Sequence, residues 1–186
     1  MFHQAHNGYT RFARLLHWLM ALLLVSMLAL GWYMTGLSYY DPDYRWTVAL
    51  HKSAGAVFFL LALLRMIYRL RSAPIPPHKH HARWEQRLAH GVHLGFYGLF
   101  FLLPITGYLI STADGHPVVL FETLKIPALM TLPGQADVAG WLHNGLGVLL
   151  VVWVALHVGG ALKHHFIDKD TTLWRMLWHR KVTDKS

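Results

Sequence analysis

Four long runs of apolar residues, set apart by short segments rich in proline, glycine and charge, give this chain its pattern. The first, Leu15 to Leu37, runs 23 residues without a formal charge. The second covers about 49–70, the third about 88–112 and the fourth 141–163. Each is close to the roughly 20 residues a helix needs to cross about 30 Å of hydrocarbon. They are apolar around the whole helix rather than along one stripe, which is the pattern of a bilayer solvent and not of a soluble bundle. The predicted fold is therefore an all-α integral membrane protein, a single domain over residues 1–186 built as a four-transmembrane-helix bundle. Pro104 falls inside the third run, where a membrane helix accommodates it as a kink.

The intervening segments carry their own signals. SYYDPDYRWTVA (38–49) is rich in Tyr and Trp and holds Asp41 and Asp43 around Pro42, so it reads as an interfacial turn or short surface helix. Pro74, Pro76 and Pro77 stop the second helix, and the loop they open is basic. Its His78, His80 and His81 read as a solvated flank, with metal binding the rarer alternative. Residues 113–138, broken by Gly115, Pro117, Pro127, Pro133 and Gly134, form a partly ordered cap at the membrane surface. In the tail 166–186, Leu173, Trp174, Leu177 and Trp178 are spaced as one face of an amphipathic helix lying on the bilayer.

Composition and charge narrow the function. With no cysteine, the chain excludes disulfides, thiolate metal sites and iron–sulfur ligation by its own side chains. A formal net charge of +8 raises nucleic-acid binding, but four apolar belts leave no basic surface for it. Fourteen of the seventeen Lys and Arg residues lie in the N-terminal flank, in the end of the second run with its following loop, and in the tail. Only Arg45, Lys52 and Lys125 lie on the other side. The positive-inside rule then puts both termini in the cytoplasm. The first apolar run is too long for a typical signal peptide and is read as retained.

Histidines carry the candidate chemistry. His143 and His157 lie near the two ends of the fourth run, fourteen residues apart. A helix separates them by roughly 21 Å and returns them to within about 40° of one direction. Sorted by depth, His17, His93 and His157 share the cytoplasmic side, with His90 nearer that surface, while His51 and His143 share the other. A histidine at hydrocarbon depth is costly and has an assigned partner. Two imidazoles on facing helices with an apolar slot between them describe bis-histidine haem b, so His143 pairs with His51, and His157 with His17 or His93. Gly55, Gly145, Gly147, Gly159 and Gly160 leave room for a planar ligand, although glycines also serve ordinary membrane-helix packing. Arg65 and Arg69, on one face of the second run, either snorkel to headgroups or turn inward to anionic groups of a cofactor.

These motifs occur in an ordered set: RxxHW at Arg14 to Trp18, the His51 opening of the second run, bases before PxPP at Pro74 to Pro77, AHxxH at Ala89 to His93, LPxxGY at Leu103 to Tyr108, WLHNxLG from Trp141, and ALHxxxALxHHF ending at Phe166. In this the chain resembles the bacterial di-haem cytochrome b561 family of the inner (cytoplasmic) membrane, and within it the stand-alone branch that oxidises superoxide. The resemblance covers nearly the whole chain. It implies two haems b as cofactors, one on His17 and His157 toward the cytoplasm and one on His51 and His143 toward the periplasm. It implies further that His93 lies in the quinone region and His164 close to it, with ubiquinone as the electron acceptor. On this reading His93, with His90 or His164, hydrogen-bonds a quinone carbonyl or relays protons, and Lys52, Arg45 or Lys125 attracts an anionic donor. A second expectation is an anchor subunit passing electrons between quinone and a partner dehydrogenase or c-type cytochrome docked on the cap. A third, of another class, is a non-redox membrane protein that binds metal through its histidines.

Overall fold

The computed structural model describes residues 9–72 and 81–177; His78, His80 and the tail beyond Leu177 lie outside it. Among the described residues four helices are long and apolar enough to cross a membrane: α1 (Arg11–Thr35), α2 (Tyr44–Arg71), α3 (Arg83–Ser111) and α4 (Gln135–Phe166). All four extend beyond their apolar runs at one or both ends. The hydropathy pattern marks the lipid-crossing part, whereas the backbone stays helical until a cap ends it. Thus Tyr44 to Val48, expected in an interfacial turn or short surface helix, already belong to α2. Pro104 lies within α3 without ending it.

Side chains fasten the helix starts. Thr10 accepts the Ala13 N–H at 3.1 Å as the N-cap of α1, and its hydroxyl bonds the Tyr68 hydroxyl at 2.6 Å near the end of α2. Glu85 reaches back to the Ala82 N–H at 2.9 Å at the start of α3. On the other membrane face the Asp43 carboxylate accepts from the Tyr33 hydroxyl at 2.7 Å and from Trp46 Nε1 at 2.9 Å. The bonds from Trp46 and Tyr33 hold its pKa below the ordinary carboxylate value.

The surface connection between α3 and α4 is more ordered than its sequence suggested. Val118–Leu120 (β1) and Leu124–Ile126 (β2) pair as an antiparallel hairpin, so the helical fold carries one small sheet. At its tip Phe121 and Glu122 both have positive φ, 51° and 59°, the conformation of a tight hairpin turn. No glycine stands there to announce it. The turn docks on α2 through the Phe121 N–H, which donates to the Ser53 hydroxyl at 3.0 Å, and Val118 and Leu120 are buried. The Tyr108 hydroxyl donates to the Pro127 carbonyl and accepts the Leu129 N–H, pinning the rest of the cap to α3.

The helices pack in an uneven way. α4 runs along α3, α1 along α2, and α2 meets α3, whereas backbone approach of α4 to α1 or α2 is marginal. The α3–α4 seam is closed by Trp153, which lies over Gly95 and donates its Nε1–H to the Val92 carbonyl at 3.1 Å. At mid-depth one apolar cluster joins all four helices: Leu16, Met20 and Leu24 of α1, Phe58 and Ala62 of α2, Leu99 of α3 and Leu150 of α4. Elsewhere the helices turn their apolar residues outward; in the most apolar window of α4 only 6% of residues are buried within the chain. A six-residue helix, α5 (Thr172–Leu177), folds back onto the bundle, where Trp18 Nε1 donates to the Met176 carbonyl at 3.2 Å. It accounts for the first part of the expected tail helix; Trp178 onward lies outside the described residues.

A Cβ added at Gly95 would stand 2.2 Å from Trp153 Nε1, while one added at Gly91 would meet nothing within 4 Å. Gly95→Ala is therefore expected to lower stability by about 1–3 kcal/mol through overpacking, and Gly91→Ala to leave it equal or slightly higher. Thermal unfolding of the two variants in detergent checks the pair.

Candidate functional site

Two clusters of imidazoles stand at two depths of the bundle, with the apolar core between them. At the end toward the hairpin, His51 of α2 faces His143 of α4 with ring centroids 6.3 Å apart and planes at 77°. At the other end, His17 of α1 faces His157 of α4 at 6.0 Å and 62°. Both pairs bridge helices whose backbones do not pack closely together. Leu150 lies seven residues from His143 and seven from His157, and is almost fully buried between the two levels.

Each level draws on all four helices. Around the first, Gly31 of α1 approaches His51 so closely that an added Cβ would lie 3.4 Å from its Cε1. Gly107 of α3 stands similarly to His143, at 3.3 Å. His143 Nδ1 lies 3.1 Å from the Leu103 carbonyl, to which its N–H donates, and 3.0 Å from the Thr106 hydroxyl. That bond fixes the tautomer and leaves Nε2 with its lone pair. His51 Nδ1 is buried without a partner, one of three such side-chain atoms among the described residues. An unsatisfied buried nitrogen calls for an explanation beyond packing.

At the second level a third imidazole joins the pair. His93 of α3 lies 5.5 Å from His157, and Phe96 packs edge-on against the same ring at 5.4 Å. Arg65 of α2 is near enough to act electrostatically on His17, His93 and His157 together. Arg69, one turn on, acts on His93 and is exposed. Aromatic contacts continue toward the middle of the bundle, from Phe96 to Phe100 at 5.4 Å and from Phe100 to Phe58 at 4.9 Å.

The donor set fits a metal held between two imidazoles. Two rings on opposite sides of one ion need about 2 Å for each metal–nitrogen bond and about 1.1 Å from nitrogen to centroid, or roughly 6 Å between centroids. The pairs at 6.0 and 6.3 Å meet that requirement, and the 5.5 Å separation of His93 from His157 falls short of it. No thiolate or carboxylate takes part in these contacts.

In organisation, length and motifs this arrangement has relatives. A description of the prokaryotic cytochrome b561 family matches residues 8–179. The chain belongs to that family. It is 44% identical over 162 residues to cytochrome b561 homolog 2 of Escherichia coli (strain K12), an alignment covering 87% of this chain and 86% of that protein. It is 30% identical over 176 residues to the probable superoxide oxidase CybB of Yersinia pestis, covering 92% and 97%. Cytochrome b561 homolog 1 of Escherichia coli (strain K12) is 26% identical over 190 residues, covering 94% and 99%. The chain is thus a multi-pass bacterial inner-membrane protein of a family whose work is transmembrane electron transfer.

The remaining sequence candidates fall in different places. His90 is exposed and lines a broad, open concavity of about 440 Å³ with Arg83, Gln86 and Arg87. Lys52 is half-buried between His51 and Ser53, beside the docked hairpin. His164 points elsewhere: its Nδ1 lies 2.6 Å from Asp168 Oδ2, and its ring stacks on His81 at 4.0 Å. His81 is therefore packed rather than solvated, a correction to the reading of the basic loop. Among the glycines, Gly145, Gly147, Gly159 and Gly160 meet no other side chain or helix within 4 Å of an added Cβ, so helix packing does not account for them. The sequence reading missed Gly31 and Gly107. Gly107 stood within the LPxxGY motif without being tied to a ligand, and Gly31 had only its position near a run's end on a helix lacking the ligand at that level.

Proposed function

We propose that the chain carries electrons between a donor at the His51–His143 end and a quinone at the His17–His157 end, through two b-type haems held by these two histidine pairs. The observation that carries this reading is the recurrence, at both ends of α4, of an imidazole pair spaced for one metal across helices whose backbones approach each other only marginally. When bound, each haem supplies a one-electron couple at its own depth. The protein's share is geometry and charge. His143 is oriented by the Leu103 carbonyl, and Arg65 offers its guanidinium to anionic groups of the inner cofactor, with Arg69 at the rim.

On the donor side the favoured substrate is superoxide: two superoxide anions give up two electrons and leave as two dioxygen molecules. Ubiquinone takes those two electrons and two protons. Support for this donor comes from the 30% identical relative, a probable superoxide oxidase, while the name of the 44% identical one specifies no donor. Lys52, with Arg45 and Lys125, supplies positive charge on that face. On the quinone side His93 is the group beside His157, and exposed His90, one turn away, extends it toward the surface as a proton path. A second reading, an anchor subunit for a partner dehydrogenase or cytochrome, draws on the exposed apolar cap, where Phe121, Leu129 and Leu132 are more than half exposed.

Haem content tests the ligands. His51→Ala and His143→Ala are each expected to lower haem from two per chain to about one, removing the same spectral component, and His17→Ala and His157→Ala to remove the other. His93→Ala is expected to keep both and lose quinone reduction; loss of a haem there would reassign the inner pair. For the donor, reduction of the quinone-free protein by a superoxide source is expected to disappear on addition of superoxide dismutase, and dismutase-insensitive behaviour would favour the anchor reading. Topology is tested separately. A fluorescent-protein fusion after Ser186 is expected to glow and an alkaline-phosphatase fusion there to be inactive, with the opposite result for insertions at Lys125.

A further inference from the structure

Where α3 begins and α4 ends, four side chains outside both histidine levels converge: His81, His164, Asp168 and Asp170. One ligating atom from each lies within 4.8 Å of all the others. They come from three separate segments, the residues just before α3, the last turns of α4, and the connection from α4 to α5. We propose that this cluster is a binding site for one divalent cation of the zinc class, held by two imidazoles and two carboxylates.

The separations suit such an ion. His81 Nε2 is 2.6 Å from Asp170 Oδ2, and His164 Nδ1 is 2.6 Å from Asp168 Oδ2 and 3.7 Å from Asp170 Oδ2. Four ligands at about 2.0–2.2 Å from a tetrahedral ion stand roughly 3.3–3.6 Å from one another, so the cluster reaches that shell with shifts of about an ångström. Each 2.6 Å contact is a hydrogen bond between an imidazole and a carboxylate, and a cation would take the place of that bond.

The ligands are also held in place before any ion arrives. The side chains of His81, His164 and Asp170 are only 13%, 14% and 12% exposed, and Asp168 is 28% exposed. The two rings stack with centroids 4.0 Å apart and planes within 22° of parallel, so they must splay apart by about an ångström for both ring nitrogens to face one ion. Asp170 Oδ1 accepts the Thr172 N–H at 2.7 Å, which aims Oδ2 into the cluster, and Gln86 Nε2 donates to the His81 carbonyl at 2.9 Å. Two nitrogens and two oxygens without a thiolate select a borderline ion such as zinc over calcium or magnesium, which take oxygen ligands. Lys163 is one competitor: its ammonium lies 2.8 Å from Asp168 Oδ2 and also pairs with Glu85. The site shares no ligand with the haem assignment and stands or falls without it.

The test uses the full chain purified in detergent, stripped with a chelator and titrated with zinc chloride at neutral pH by equilibrium dialysis, with X-ray absorption on the loaded protein. Expected is one zinc per chain with a dissociation constant below about 10 μM and a shell of two imidazoles and two oxygens. His81→Gln and Asp170→Asn are expected to weaken binding at least about tenfold while eluting as monodisperse protein, and Lys163→Met to strengthen it by freeing Asp168. The double variant His78→Gln/His80→Gln is expected to bind as the parent does. The proposal is overturned by the absence of saturable binding in that range, by a shell of three or more imidazoles, or by affinity that follows His78 and His80 rather than Asp170. The wild-type spectrum alone decides the matter should a variant fail to fold.

Discussion

α4 is held to the bundle from one side, and the two histidine levels depend on that asymmetry. Trp153 lies over Gly95 and bonds the Val92 carbonyl, so α4 stays close to α3. Toward α1 and α2 its backbone stands off, and there only side chains cross the gap. In a soluble protein such gaps would close, because apolar surfaces left apart would face water. In a bilayer no hydrophobic force drives helices together, so packing of small and large residues decides which seams close. The closest glycine notch lies on the α3–α4 seam, and the marginal approach of α4 to α1 and α2 leaves room for imidazole pairs at two depths.

The two ends of the bundle are finished differently. On the hairpin side the cap is fixed by hydrogen bonds to the helices: Ser53 to the turn, Tyr108 to residues 127 and 129, and Gln135 to the Leu109 carbonyl. On the other side charge does the work. Lys163 joins Glu85 to Asp168, whose carboxyl pKa is held below the ordinary value chiefly by the bond from Lys163. This places the start of α3, the end of α4 and the approach to α5 in one network, consistent with the surplus of Lys and Arg in those segments.

Much of this was legible in the sequence because a bilayer imposes a coarse and strict code. Apolar runs of span length could only be helices, and a separation of fourteen positions from His143 to His157 could only put them at two depths on nearly one face. What stayed hidden depends on contacts between distant positions. Nothing near Gly31 or Gly107 reveals that each backs an imidazole on another helix. The hairpin turn at Phe121 and Glu122 uses residues that ordinarily avoid positive φ, so its turn chemistry was silent. His81 looked like part of a solvated basic loop because its partners, Asp170 and His164, lie more than eighty residues away.

Leu150 and the residues around it have an electrical meaning. The cluster they form across the middle of the bundle is apolar, with Phe58, Leu99 and Met20 buried alongside. It offers protons no hydrogen-bonded route from one end to the other, while an electron needs none. Charge crossing the roughly 21 Å between the levels would traverse about two-thirds of a 30 Å hydrocarbon layer. Each electron would then exchange roughly 1.6 kcal/mol with the cell for every 100 mV of membrane potential. On the proposed two-haem reading, turnover in a polarised membrane would be coupled to voltage as well as to the redox partners, and the apolar waist would set the strength of that coupling.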